Sequence, residues 1–233
     1  MGTLQQIFGS VFDKSSNNGR EFDAIIGHDS VKTIFNKAVL SKRPVHILLV
    51  GKPGTAKTMF LTEVIRSIKQ SYFIVGSNTT KAGLVNQLFE RRPKYLLIDE
   101  LDKMNKSDQT SLLHLMETGI MAETKIRKTR QLKLTSWVFA TANSCEKIID
   151  PLLSRFVVLE IPAYTFEEFT KIAVERLTRE NVDRQLAAII CEKVWIELGS
   201  ADVRDVIKVG RLVDHIREIS DIVEIMKKHK SAY

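Results

Sequence analysis

Gly51-Lys52-Pro53-Gly54-Thr55-Ala56-Lys57-Thr58 sets two glycines, two lysines and two threonines between an apolar run, Val45 to Val50, and a stretch of helical apolar spacing from Thr58 to Lys69. A strand-to-helix turn of this kind aims successive backbone N–H groups at one point, and the helix N-terminus adds a favourable dipole for an anion. The chemistry is phosphate binding. Pro53, Gly54, Thr55, Ala56, Lys57 and Thr58 form the candidate cradle, with Lys57 on the β- and γ-phosphates and Thr58 on a magnesium ion. Ala56 departs from the usual glycine, and a methyl group at that point predicts negative φ.

Downstream, Tyr95-Leu96-Leu97-Ile98 is an apolar strand that ends in Asp99-Glu100. A buried strand does not carry two carboxylates without a reason. Asp99 is the candidate metal ligand beside Thr58. Glu100 is the candidate to orient an attacking water or accept its proton. The apolar run Trp137 to Ala142 ends at Asn143, whose amide can position that water or a γ-phosphate. Arg155, in Asp150-Pro151-Leu152-Leu153-Ser154-Arg155-Phe156, and Arg204, in Gly199-Ser200-Ala201-Asp202-Val203-Arg204-Asp205, supply two further cations. Taken alone, either one reads as a surface ion-pair residue, and Arg204 has Asp202 and Asp205 beside it.

A third cluster is purely basic. Lys125, Arg127, Lys128, Arg130 and Lys133 place five cations within nine positions, and Leu132 and Leu134 alternate with Lys133 and Thr135 as in a half-exposed strand. Residues 120–136 are expected to form a hairpin whose cations can follow a phosphate backbone.

These groups need a frame. Short apolar strands (45–50, 72–75, 95–98, 137–142 and 156–161, the last also expected to be buried) alternate with helical patterns, the first capped by Asp29 or Ser30. This predicts an α/β fold, a parallel sheet flanked by helices. From Thr165 only helical patterns follow, at about 166–180, 184–198, 201–217 and 219–229, opened by the capping box Thr165-Phe166-Glu167-Glu168. The expected organisation is a flexible lead-in over 1–20, a nucleotide-binding domain over 21–163 and a small all-α lid over 164–233.

The 233 residues are 44% hydrophobic and 27% charged, with a net charge of +7, which favours an acidic partner such as nucleic acid. No apolar run approaches ~20 residues, so no membrane span is expected. Met1 to Phe12 lacks the regions of a secretory signal. Cys145 and Cys191 have no metal-ligand spacing and read as two buried thiols of a cytoplasmic protein.

This order of motifs resembles the AAA+ superfamily from about Phe22 to Arg217. The resemblance implies ATP and Mg²⁺ as cofactors and a homo-oligomeric, hexameric ring. It also implies that Ile25, Ile26 and Gly27 wrap the adenine, that Asn143 is sensor 1 and Arg204 sensor 2, and that Arg155 is a finger acting on the neighbouring subunit's nucleotide. Asn78 or Ser77 occupies the place of a polar residue that restrains the catalytic glutamate. The phosphate loop with its Ala56, the run Gly76 to Leu84 and Asp99-Glu100-Leu101-Asp102-Lys103-Met104-Asn105 are similar to minichromosome-maintenance (MCM) helicases. The compact core and lid resemble RuvB-type branch-migration motors. Neither the N-terminal DNA-binding domain of the first nor the winged helix of the second is expected within these residues.

The implied function is a ring-forming DNA motor: a helicase, branch-migration or remodelling factor. The alternative is a MoxR-like ATPase that remodels a protein complex and ignores DNA, or a module that relies on a separate DNA-binding or client protein.

Overall fold

The structure is a computed structural model that describes residues 22, 24–125 and 128–230. The lead-in expected over 1–20 and the candidate Arg127 lie outside the described residues.

Five strands form one parallel sheet: β1 (Ile47–Val50), β2 (Ser71–Val75), β3 (Tyr95–Asp99), β6 (Trp137–Ala142) and β7 (Val157–Glu160), in the order β2-β3-β6-β1-β7. The three inner strands, β3, β6 and β1, read as continuous apolar runs because both faces are covered. Ile47, Leu49, Leu97 and Phe139 pack on one face with Phe35 of α1 (Asp29–Val39) and Phe60, Leu61 and Val64 of α2 (Lys57–Ser67). Leu48, Leu96, Ile98, Val138 and Ala140 point the other way, into a core closed by α3 (Lys81–Arg91) and α4 (Lys106–Thr118). Strand alternation therefore divides each run between two cores.

An antiparallel pair, β4 (Ile120–Lys125) and β5 (Lys128–Lys133), follows α4, with Ile120 opposite Lys133. Met121, Leu132 and Leu134 are buried on the second core, while Arg130, Gln131 and Lys133 are exposed. A one-turn helix, α5 (Asp150–Leu153), leads to Arg155 and β7. Beyond β7 come four α-helices, α6 (Phe166–Arg179), α7 (Arg184–Ile196), α8 (Val203–Gly210) and α9 (Ile219–Lys230), around a third core that includes Phe169, Leu177, Ile190, Val194, Val206 and Val223. The α6 capping box is present: Glu168 N–H donates to Thr165 Oγ1 (3.2 Å), and Thr165 N–H donates to Glu168 Oε2 (3.0 Å).

Three local expectations are corrected. The residue capping α1 is His28, in the left-handed region at φ 57°, without a side-chain cap bond. Asp29 instead lies in the first turn and pairs with Lys32. The last strand is not buried, because the sheet order leaves β7 at an edge with Val157 and Val158 both 43% exposed. The helix expected over 201–217 spans only Val203–Gly210. Asp202 caps it by accepting from Arg204 N–H (3.0 Å), and at its end Arg211 Nε donates to Glu180, the residue that closes α6 (2.8 Å).

Cys145 is half-buried against the second core and Cys191 lies inside the helical core, so the two thiols are free and belong to different clusters. Burial pushes the Cys191 thiol up to about 12, which keeps it protonated. Among the described residues, no helix is long and apolar enough to cross a membrane.

Candidate nucleotide site

The C-terminal ends of β1, β3 and β6 open into a cleft of about 700 Å³ that the helical segment covers from the other side. The turn after β1 forms its floor. Lys57 is 8% exposed, and its ammonium donates to the carbonyls of Gly51 (2.6 Å) and Lys52 (2.7 Å), which holds it across the mouth of the loop. Burial pulls the Lys57 pKa below the ordinary lysine value. The carboxylates of Asp99 and Asp102 oppose that shift, and Arg204 adds to it. Ala56 contradicts the expected negative φ: it sits at φ 62°. The turn into α2 demands a left-handed residue at that point, and the alanine methyl accepts the strain while packing against both the α2 core and the helical core.

At the end of β3, Asp99 meets Thr58. The Thr58 hydroxyl lies 3.1 and 3.0 Å from the two Asp99 oxygens. Thr141, 1% exposed within β6, donates to Asp99 Oδ1 and accepts from Glu100 N–H (3.1 Å). One buried hydroxyl thus fixes both acidic positions. The motif pattern does not single out Thr141; the available signal is a hydroxyl inside a wholly buried strand, which must find partners. Glu100 itself is held at φ 57°, strained for a residue with a side chain. Gly76 makes that possible, since a Cβ there would lie 2.2 Å from the Glu100 carbonyl oxygen. Ser77 and Asn78 follow in a short 3-10 turn, both exposed, with Ser77 Oγ 3.5 Å from Asn78 Oδ1.

Asn143 lines the cleft next to Glu100, and its N–H lies 3.4 Å from Oδ1 of the buried Asp102. From the helical side come Asp202 and Arg204 of the α8 N-terminus. Arg204 Nε and Nη2 grip the Asp202 carboxylate (3.0 and 2.6 Å), and this pair raises the guanidinium pKa above its usual value. The Asp202 carboxylate presses so close to Gly54, at φ 85°, that a Cβ there would lie 2.8 Å away. Arg204 therefore both lines the cleft and makes a local ion pair. Three lining residues that sequence reasoning missed, Glu175, Arg176 and Arg179, lie on the exposed face of α6, where nothing in the sequence separates them from solvated charge.

Of the segment expected to wrap a base, Ile26 and its neighbour Ala24 line the cleft. Ile25 is buried in the α2 core, and Gly27 turns the chain at φ 71°. Arg155 stands outside the cleft. Its guanidinium donates to Glu117 Oε1 at the end of α4, through Nε at 3.1 Å and through Nη2, and its side chain is 49% exposed. Gln109, fully buried in α4, donates to the Lys147 carbonyl and accepts from Ile149 N–H (both 2.9 Å), which anchors the segment leading to α5 and Arg155. Of the basic candidates, Arg130 lies 5.8 Å over the Phe89 ring of α3 and Lys133 is exposed; Lys125 ends β4 and Lys128 opens β5.

Among the described residues, no group of three or more His, Cys, Asp or Glu could hold a metal. The oxygens of Thr58 and Asp99 do suit Mg²⁺, a hard cation that takes one or two protein ligands and completes its shell with phosphates and water.

The ATPase family associated with various cellular activities (AAA) matches residues 47–163, half of the chain, from β1 to just beyond β7. The DNA replication licensing factor mcm2 of Schizosaccharomyces pombe is 26% identical over 208 residues, covering 72% of this chain and 24% of that protein. Its Xenopus laevis counterpart is 26% identical over 194 residues, covering 71% and 22%. The chain thus spans about a quarter of the length of these relatives. Among solved structures, the Thermotoga maritima RuvB Holliday junction branch migration motor superposes with a TM-score of 0.63 at 22% identity, over 88% of this chain and 70% of that one. A five-stranded parallel sheet carrying a phosphate loop, an Asp-Glu strand end and a helical cover thereby acquires its family: the chain belongs to the AAA ATPases, similar in fold to RuvB and in sequence to MCM proteins.

Proposed function

We propose that the chain binds and hydrolyses Mg-ATP as one subunit of a ring, probing DNA with its basic hairpin, and that each site is completed by Arg155 of the neighbouring subunit. One observation carries this reading: Lys57, Thr58, Asp99, Glu100, Asn143 and Arg204 converge on one cleft, whereas Arg155 lies outside it and half exposed.

Loop amides and Lys57 hold the β- and γ-phosphates. Thr58 and Asp99 hold the magnesium ion, which neutralises developing phosphate charge when bound. Glu100 orients the attacking water and takes its proton as the oxygen joins γ-phosphorus and the bond to ADP breaks. Asn143 positions that water, and Arg204 reports nucleotide to the helical segment. The left-handed backbone at Glu100 sets the direction in which its side chain leaves the strand end, beside the cleft it lines.

Support for DNA as the substrate comes from the net charge of +7, the basic hairpin and the names of the relatives, a DNA replication licensing factor and a branch migration motor. The test is the ATPase rate with no DNA and with single-stranded, duplex and branched DNA, alongside the mass of the ATP-bound assembly. Stimulation by DNA in a ring-sized particle supports the reading. A rate indifferent to all three DNAs would shift it to the remodelling of a protein complex.

A further inference from the structure

The end of the sheet opposite the cleft holds a second concentration of charge. Segments leading into β1, β2, β3 and β6 meet there and are sewn together by hydrogen bonds. The N–H groups of Lys94 and Tyr95 both donate to the Gln70 carbonyl (2.9 and 3.2 Å), and Trp137 N–H donates to the Lys94 carbonyl (2.8 Å). Ser136 Oγ donates to the Pro93 carbonyl (2.7 Å), Trp137 Nε1–H to Ser41 Oγ (2.8 Å) and Tyr95 OH to the Val39 carbonyl (2.9 Å).

This floor exposes Lys42, Arg43, Lys69, Arg92 and Lys94. Residues 40–46, 68–70, 92–94 and 134–136 contain no aspartate or glutamate; the nearest acid along the chain is Glu90. None of the five cations forms an ion pair with a described residue. Lys94 is held with its ammonium 5.0 Å from the Trp137 ring centroid and 5.1 Å from that of Tyr95.

Two residues of the floor, Gln70 (φ 64°) and Arg92 (φ 45°), are strained for side-chain-bearing residues. Such strain persists only where the surroundings over-determine it. Five exposed cations on segments that carry no acid repel one another, and a polyanion relieves that repulsion. The surface also continues into the hairpin: Arg130 stacks over Phe89 of α3, the helix that Arg92 terminates, and Lys133 lies two residues before Thr135.

We infer that this floor is a second contact for a nucleic-acid phosphate backbone, continuous with the hairpin and remote from the nucleotide. The inference rests on the reading that the chain acts on DNA, and it adds a fixed track where the hairpin alone was the candidate. Phosphate contacts of this kind set position rather than sequence.

The experiment measures the affinity of the full chain for a labelled ~30-bp duplex between about 50 and 200 mM salt. It compares wild type, a floor variant (Lys42→Gln, Arg43→Gln, Arg92→Asn) and a hairpin variant (Lys125→Gln, Arg127→Gln, Lys128→Gln). Asparagine at 92 tolerates the left-handed backbone, and an unchanged ATPase rate without DNA confirms an intact floor variant. The expected result is at least about a tenfold loss of affinity in the floor variant, with a salt slope shallower by ~2–3 because each phosphate contributes about 0.9. Wild-type affinity and slope in the floor variant would overturn the inference, while a weakened hairpin variant would leave the DNA reading standing. Absence of wild-type binding to DNA would overturn both.

Discussion

Arg155 and Glu117 form an ion pair that joins the end of α4 to the segment entering β7, outside the nucleotide cleft. The pair engages Nε and Nη2 and leaves the guanidinium's remaining donors for another partner. An exposed pair of this kind contributes little to stability, at most about 1 kcal/mol, so its interest is positional. Glu117 also stands two residues before Gly119 and the hairpin, so hairpin and candidate finger share one support.

Removing the finger should separate binding from hydrolysis. Arg155→Ala is expected to keep ATP affinity within about twofold and to lose on the order of 10³ in hydrolysis. Glu117→Gln should leave binding alone and slow hydrolysis only about fivefold, since it loosens the guanidinium without deleting it. Nucleotide binding by fluorescence and steady-state phosphate release measure the two effects. Equal loss of binding and turnover in Arg155→Ala would make the residue structural.

Thr141 should be read out through magnesium. Thr141→Val removes the hydroxyl that bridges Asp99 and Glu100 N–H and leaves these part-buried groups one partner fewer, at a cost of about 1 kcal/mol in stability. The magnesium concentration for half-maximal hydrolysis should rise ~10-fold or more, as for other groups that orient a metal ligand. Thr141→Ser should restore it. An unchanged magnesium dependence in the valine variant would remove Thr141 from the site.

Gly76→Ala tests the strain at Glu100. The new Cβ must displace the Glu100 carbonyl, at a cost of about 1–3 kcal/mol, and carries the Glu100 side chain with it. Hydrolysis should fall well before ATP affinity does, checked by turnover and nucleotide titration on the same preparation. Wild-type turnover would show that the position of Glu100 is not critical.

His46 supplies a pH dependence unconnected with catalysis. Its Nδ1 accepts from Val138 N–H (3.0 Å), and burial lowers its pKa from 6.5 to about 4. The unfolded chain takes up the proton first as pH falls below 6.5, so stability is complete above that pH and is lost on the way down towards 4. Between pH 7 and 5 the loss is about 1–2 kcal/mol, allowing for incomplete burial. Urea denaturation should show this slope in wild type and a smaller one in His46→Asn. Equal slopes would assign it elsewhere.

The fold class was legible because its signals are local. Runs such as Tyr95–Ile98 and Trp137–Ala142, separated by helical spacing, announce strands covered on two faces, and a capping box such as Thr165 to Glu168 is written in consecutive residues. What stayed illegible depends on distant partners. The edge position of β7 is set by the sheet order, and the pairing of Arg211, just past α8, with Glu180 joins residues 31 apart in the chain. The same holds for the cleft. The motif residues are visible in sequence, whereas Thr141 and Gly76 matter only because folding sets them against Asp99 and Glu100. The left-handed φ of Ala56 shows the local rule itself giving way where the phosphate turn requires it.

Complementation between two inactive variants tests the shared site most directly. Lys57→Ala chains keep their finger but cannot hold phosphate; Arg155→Ala chains hold nucleotide but offer no finger. Each alone should hydrolyse ATP at about 10⁻³ of the wild-type rate or less. An equimolar mixture, in which some fingers face intact sites, should recover at least about tenfold over either alone. If the mixture assembles and binds ATP yet stays as inactive as its parts, Arg155 does not act across a subunit boundary, and the ring-completed site is contradicted.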